Sequence, residues 1–273
     1  MAKGFDCATP LNANLAMRFK EEGYEFVCRY LVPSGWKRLT GEEADAISKA
    51  GMQIVSVFET TADRALGGRA AGLADGAFAA QTAHAVGQPE GSAIYFAVDF
   101  DVTNQVQMKC VIEYIHAASE ATPNYTTGVY GEYEVIEAVS AAGVCSRFWQ
   151  TRAWSGGKRS GTANIYQYDC GPQGLGMEKN GIMVDLNESY GNEGWWNANP
   201  EELNEEEEDG DNMPMKLKQW QWDMLYEVMG KAYNADQLDW DWMQKIVDKT
   251  LTAAELSFLN TVLDGRIDRN IEV

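Results

Sequence analysis

The chain of 273 residues carries 41 acidic and 22 basic side chains, a formal net charge of −19, which argues against nucleic acid and anionic membrane surfaces as partners. Its length and 45% hydrophobic content allow a full barrel core plus a small extra module, and no apolar run approaches the roughly 20 residues that span a bilayer. Only His84 and His116 are available, and the five cysteines are dispersed without CxxC spacing, so neither a zinc site nor a Ser-His-Asp triad is supported. Carboxylate chemistry remains, with no metal or cofactor expected, and the cysteines read as small buried thiols of a reducing compartment.

In chain order, the first residues run directly into a strand ending at Asp6, with no room for a signal peptide. The expectation is a protein made in the cytoplasm. Short runs rich in β-branched and aromatic residues follow at 26–31, 53–58, 93–100 and 127–130, and the stretches between them read as helices. Residues 40–51 illustrate one crossover, with Thr40 as N-cap, Glu42 and Glu43 in the first turn and Gly51 just past the end. Repeated strand and helix imply a parallel sheet.

The spacing then tightens: Trp149, Gln167 and Asp185 follow one another at intervals of 18 residues, separated by Gly-rich loop sequences at 155–161 and 171–176. The fold class expected is α/β, an irregular TIM-like barrel over 1–196 with about five βα units plus three loop-connected strands, followed by a small all-α C-terminal module. Between them, 197–214 contains an acidic run that repels itself and reads as an extended linker. Residues 199–273 hold 18 acids against 7 bases. From Met215 the pattern is helical, with Trp220-x-Trp222 recurring as Trp240-x-Trp242. Residues two apart on a helix point about 200° apart, so one Trp of each pair is expected in the core and the other on a surface. A third helix opens with the capping-box pattern Thr252 and Glu255 and is expected to end near Gly265. This module of residues 215–273 is expected to bind a ligand or to form homo-oligomers.

A parallel barrel delivers every strand's C-terminal end to one rim. The strand ends Asp6, Arg29-Tyr30, Glu59, Asp99-x-Asp101, Trp149-Gln150 and Asp185-x-Asn187 are therefore expected to meet in one pocket. Asp99 and Asp101 alternate along a strand, so both are expected to point into the mouth, where repulsion raises one pKa toward that of a general acid. Spacing alone does not separate this from a metal-binding or loop-capping DxD. Pairing of Arg29 with one of the carboxylates would hold that group ionised.

Gly4-Phe-Asp6, Tyr95-Phe-Ala-Val-Asp-Phe-Asp101, Ile165-Tyr-Gln-Tyr168 and Val184-Asp-Leu-Asn187, in this order, resemble the peptidoglycan-cleaving lysozymes of glycoside hydrolase family 25. Over 4–191 the chain resembles still more closely the glycoside-hydrolase-like DUF1906 family. The resemblance implies cleavage, with retention, between N-acetylmuramic acid and N-acetylglucosamine in bacterial peptidoglycan, as in a phage endolysin released through a membrane pore. It matches Asp6, Asp99 and Asp185 to the rim aspartates of the lysozymes, with Asp99 or Asp185 steadying the substrate acetamido group and Asp6 tuning the pair. Asp101 takes the position of their glutamate proton donor. It is one methylene shorter, about 1.3 Å less reach, and a misplacement of that order can cost roughly 100-fold in rate. Glu59 is its rival for the proton. Arg29, Tyr30, Tyr130, Trp149, Gln167, Tyr168 and Asn187 are the candidate substrate contacts. The alternative from another class is a barrel that binds glycan or serves as a structural part of the wall without catalysis.

Overall fold

The computed structural model describes residues 1–198 and 214–269. The chain divides into two compact units, Met1–Leu203 and Asn204–Val273. Of the stretch 197–214 expected as a linker, residues 199–213 lie outside the described residues.

Seven parallel strands open the first unit: β1 Ala2–Asp6, β2 Phe26–Tyr30, β3 Gln53–Phe58, β4 Ala93–Ala97, β5 Thr126–Gly131, β6 Arg147–Thr151 and β7 Ile165–Asp169. Two more follow, the short β8 Met177–Lys179 and β9 Ile182–Ser189, which form a hairpin. β9 pairs antiparallel with both β7 and β1, and so closes an eight-stranded barrel. The first five strands are each followed by a helix: α1 Ala13–Glu21, α2 Gly41–Lys49, α3 Gly68–Ala85, α4 Gln105–Ala121 and α5 Tyr133–Ala142. β6, β7 and β9 are joined by loops, so the expected five βα units and three loop-connected strands are the architecture found.

The closing strand departs from the expected all-parallel sheet. Asp185 does not end a parallel strand. It lies in the first half of β9 and pairs directly with Asp6 at the end of β1. An antiparallel strand starts at the rim where the parallel ones finish, which is why both carboxylates still reach the same end of the barrel.

Local signals account for the helices. Asn12, Thr40 and Asn104 each accept a hydrogen bond from a backbone N–H of the first turn of α1, α2 and α4, respectively. Gly51 follows α2 at φ +75°, the left-handed region that ends a helix at little cost to glycine. The two longest helices of this unit, α3 and α4, approach closely at Gly72, where an added Cβ would stand 2.2 Å from the Tyr114 carbonyl oxygen.

Period-two alternation sorts the strand residues into two cores. Phe5, Val27, Ile54, Phe96, Val129 and Phe148 face outward and pack under the helices. Phe26, Cys28, Val55, Val57, Tyr95, Ala97, Trp149 and Ile165 fill the barrel interior. All five cysteines are free thiols, Cys7 and Cys28 buried and the other three half-buried.

The second unit contains α6 Gln219–Asn234, α7 Trp240–Val247 and α8 Ala253–Arg269. Its core gathers Trp222, Met229, Leu238, Met243, Ile246, Leu251 and Leu259. Trp220 and Trp240 stand exposed, whereas Trp242 is partly buried against this core. The capping box is present, with Thr252 N–H donating to Glu255 Oε2 at 3.1 Å and Glu255 N–H donating to Thr252 Oγ1 at 3.2 Å. α8 does not stop near Gly265 but continues to Arg269, because a glycine inside a helix costs only about 1 kcal/mol and does not by itself terminate it. Among the described residues no helix is long and apolar enough to cross a membrane.

Candidate active site

The interior face of each strand runs upward into the rim. There Asp6, Tyr30, Val57, Glu59, Ala97, Asp99, Tyr130, Trp149, Gln167 and Asp185 enclose a cavity of about 90 Å³. Four carboxylates thus arrive from β1, the ends of β3 and β4, and β9. A second hollow of about 320 Å³ shares Asp6, Tyr30 and Asp185 and extends past Cys7, Leu175 and Met183 along the β8–β9 hairpin.

Asp6 is the most enclosed of the four, at 7% exposure. Its Oδ2 accepts from Gln167 Nε2 at 2.8 Å and from Asn187 Nδ2 at 2.7 Å. Burial, reinforced by the charge of Asp185, pushes its pKa up to about 8 in spite of these two donors. Asp185 is raised to about 6, chiefly by burial and then by the charges of Asp99 and Asp169. Asp99 is raised too, by burial first and the neighbouring charge of Glu59 second, while Lys37 and the Tyr130 hydroxyl draw it back. Glu59, half-buried, forms an ion pair with Lys37 Nζ at 3.4 Å. The same ammonium lies 4.2 Å from the centre of the Tyr30 ring.

A hydrogen-bonded frame supports these acids. Tyr130 donates its hydroxyl to Gln167 Oε1 at 2.9 Å, and Trp149 donates Nε1 to Asn187 Oδ1 at 2.8 Å. Trp149 is 2% exposed and lies edge-on to Tyr130 with ring centres 4.7 Å apart, so it forms a floor more than a stacking surface. Asn187 is fully buried and does not line the cavity. Its amide orients Asp6.

Besides Asn187, three expected site residues do not line the cavity. Arg29 faces away from the barrel axis, because the alternation that turns Cys28 and Tyr30 inward turns it outward. It is fully buried against α2, donating Nε to Glu43 Oε1 at 2.7 Å and NH2 to the Lys37 carbonyl at 3.2 Å, and its NH1 donates to the Cys7 carbonyl. Its carboxylate partner is therefore Glu43, outside the pocket. Tyr168 is likewise one residue out of the inward register set by Gln167 and packs partly buried against the outer core. Asp101 is exposed and does not line the cavity. β4 ends at Ala97, so the alternation expected to carry Asp101 into the mouth beside Asp99 has lapsed.

Lys37 is the site residue that the sequence reading missed. The available signal was its place in a loop that leaves a strand at the rim. His84 and His116 are exposed on α3 and α4. Among the described residues no group of three or more His, Cys, Asp or Glu side chains is placed to hold a metal ion.

The comparisons with known proteins agree with this fold. The Mycobacterium tuberculosis Tat-secreted protein Rv2525c, solved in complex with L-tartrate, superposes over 71% of this chain and 98% of its own at TM-score 0.63 and 22% identity. A structure of an uncharacterized Bacillus stearothermophilus protein covers 69% of this chain and 96% of its own, at TM-score 0.52 and 20% identity. The uncharacterized protein YbfG of Bacillus subtilis (strain 168) is 29% identical over 160 residues, 52% of this chain. That match spans only 22% of the length of YbfG. Residues 17–189 match the family described as Rv2525c-like, glycoside hydrolase-like domain, and the chain belongs to that family.

Proposed function

We propose that the barrel is a glycoside hydrolase acting on the glycan of bacterial peptidoglycan, with muramidase-like cleavage by carboxylate acid and base catalysis. One observation carries the reading: Asp6, Glu59, Asp99 and Asp185 converge on a single rim cavity, and three of them have raised pKa values. Burial and crowding move these carboxylates upward from the ordinary range, the direction required of a group that protonates a glycosidic oxygen.

The neighbouring Glu59 and Asp99 are the working pair in this proposal. The raised Asp99 donates the proton, Glu59 supplies the anionic partner, and Asp185 steadies the acetamido group of the substrate. Asp6, fixed by Gln167 and Asn187, tunes Asp185 without touching sugar. Asp101 takes no part in proton transfer, since it stands outside the cavity. Action at the wall after release through a pore, as in a phage endolysin, belongs to the same proposal.

The test is mass spectrometry of Gram-positive peptidoglycan digested by the full chain. New reducing ends at N-acetylmuramic acid are expected, to be lost in Glu59→Gln and Asp99→Asn and kept in Asp101→Asn. Absence of any new reducing end overturns the enzymatic reading. One observation favours a glycan-binding barrel without catalysis: the position matched to the lysozymes' glutamate donor is an exposed aspartate. On that reading the protein sediments with walls without cutting them.

A further inference from the structure

The cavity of about 90 Å³ admits only the reacting part of a sugar, so a glycan chain must find its other contacts on the rim loops. Two tryptophans stand on those loops with much of their rings in solvent. Trp36, in the loop after β2, is 70% exposed, and Trp154, in the loop after β6, is 47% exposed. In the closed order of the eight barrel strands, β3, β4 and β5 separate β2 from β6 on one side, and β7, β9 and β1 separate them on the other. The two loops therefore stand across the mouth from each other, with the carboxylates between them.

Single exposed apolar side chains are ordinary. These two differ in how they are mounted. Next to Trp36, the Lys37 carbonyl is held at 3.2 Å by the buried guanidinium of Arg29, and the Lys37 ammonium meets Glu59 in the pocket. Next to Trp154, the buried Ser155 Oγ donates to the Thr151 carbonyl at 2.6 Å and accepts from Tyr133 N–H at 2.9 Å and Gln150 Nε2 at 3.2 Å. Trp154 itself is held at φ +54°, a left-handed conformation that a bulky L residue avoids and keeps only when its surroundings impose it. Both exposed rings thus sit on braced backbone, which lowers the ordering cost of binding.

We propose that Trp36 and Trp154 are stacking platforms for the sugar units on either side of the unit held in the carboxylate pocket. The inference rests on the glycan reading above but not on catalysis. The apolar C–H face of a pyranose ring fits an indole face, and a neutral N-acetylated sugar chain suits a protein of net charge −19 better than an anionic polymer does.

The experiment is isothermal titration of the full chain, in the Asp99→Asn background to prevent turnover, with soluble N-acetylglucosamine oligomers of two and six units. Trp36→Ala and Trp154→Ala are each expected to weaken the six-unit oligomer about tenfold, while Trp36→Phe and Trp154→Phe, which keep an aromatic face, stay within about threefold. Unchanged affinity in both Ala variants, or no binding of the six-unit oligomer by the parent, overturns the inference. Peptidoglycan digestion by the chain with Asp99 intact is scored separately. Trp-dependent binding without bond cleavage removes the enzymatic reading alone, and cleavage with Trp-independent binding removes this inference alone.

Discussion

Replacing Asp6 by Asn keeps the side chain's shape and removes its titration. Asp6 has its ordinary carboxyl value of 3.8 when unfolded and about 8 when folded, so the folded protein binds its proton more tightly. By linkage the stability this group contributes is complete below about pH 4 and is lost as pH rises toward 8. With these two values, the cost of the native site relative to a neutral, non-titrating one is below about 1 kcal/mol at pH 4 and about 4 kcal/mol at pH 7. It approaches about 6 kcal/mol at pH 9, where the ion itself is buried beside Asp185. Asn can still accept from Gln167 and Asn187 through its carbonyl oxygen. Asp6→Asn is therefore expected to gain stability progressively with pH, by about 4 kcal/mol at pH 7, a rise of roughly 10 °C in melting midpoint for a unit of this size. Urea or thermal unfolding at pH 4, 7 and 9 reads this directly. Parallel stability curves for the two proteins across that range would refute the raised pKa and the burial argument behind it.

Further outcomes follow from the same contacts. Lys37 draws the raised pKa of Asp99 down, so Lys37→Met is expected to push it further up and move the alkaline limb of the hydrolysis profile to higher pH; a kcat/KM profile that does not move excludes Lys37 from the electrostatics of the site. Arg29→Met leaves Glu43 buried and unpaired, and should cost about 3–5 kcal/mol, with much of that recovered in the double variant Arg29→Met with Glu43→Leu, as measured by urea unfolding. Gly72→Ala sets a methyl group against the Tyr114 carbonyl and forces α3 from α4, an expected loss of about 1–3 kcal/mol by thermal unfolding, whereas the same change at the unobstructed Gly161 should cost far less.

Much of the barrel was legible because helices and strands bury one face each, and that burial writes periods of 3.6 and 2 into the chain. Thr40 with Gly51 marked where one crossover helix begins and ends, and the Gly-rich sequences after Trp149 marked where crossover helices cease. The site was less legible, for reasons that differ by residue. Arg29 and Tyr168 lie one position from Tyr30 and Gln167. A strand's facing is a matter of register that composition does not reveal, and one step turns a pocket residue into a packing residue. Asp101 was misplaced because DxD alternation has meaning only while the backbone stays extended, and β4 stops at Ala97.

By itself the sequence determined the alternation of strands and helices, the supply of carboxylates near strand ends and the motifs that mark the family. Only the tertiary structure decided that β9 runs antiparallel, since hydrophobic periodicity is the same in either direction. Closure of the barrel by β9 sets Asp185 against Asp6, burying Asp6 and half-burying Asp185, and this burial with the neighbouring like charges is what raises their pKa values. Lys37, 22 residues from Glu59 in sequence, joins the site for the same reason: the rim of a barrel collects loops that the chain keeps far apart.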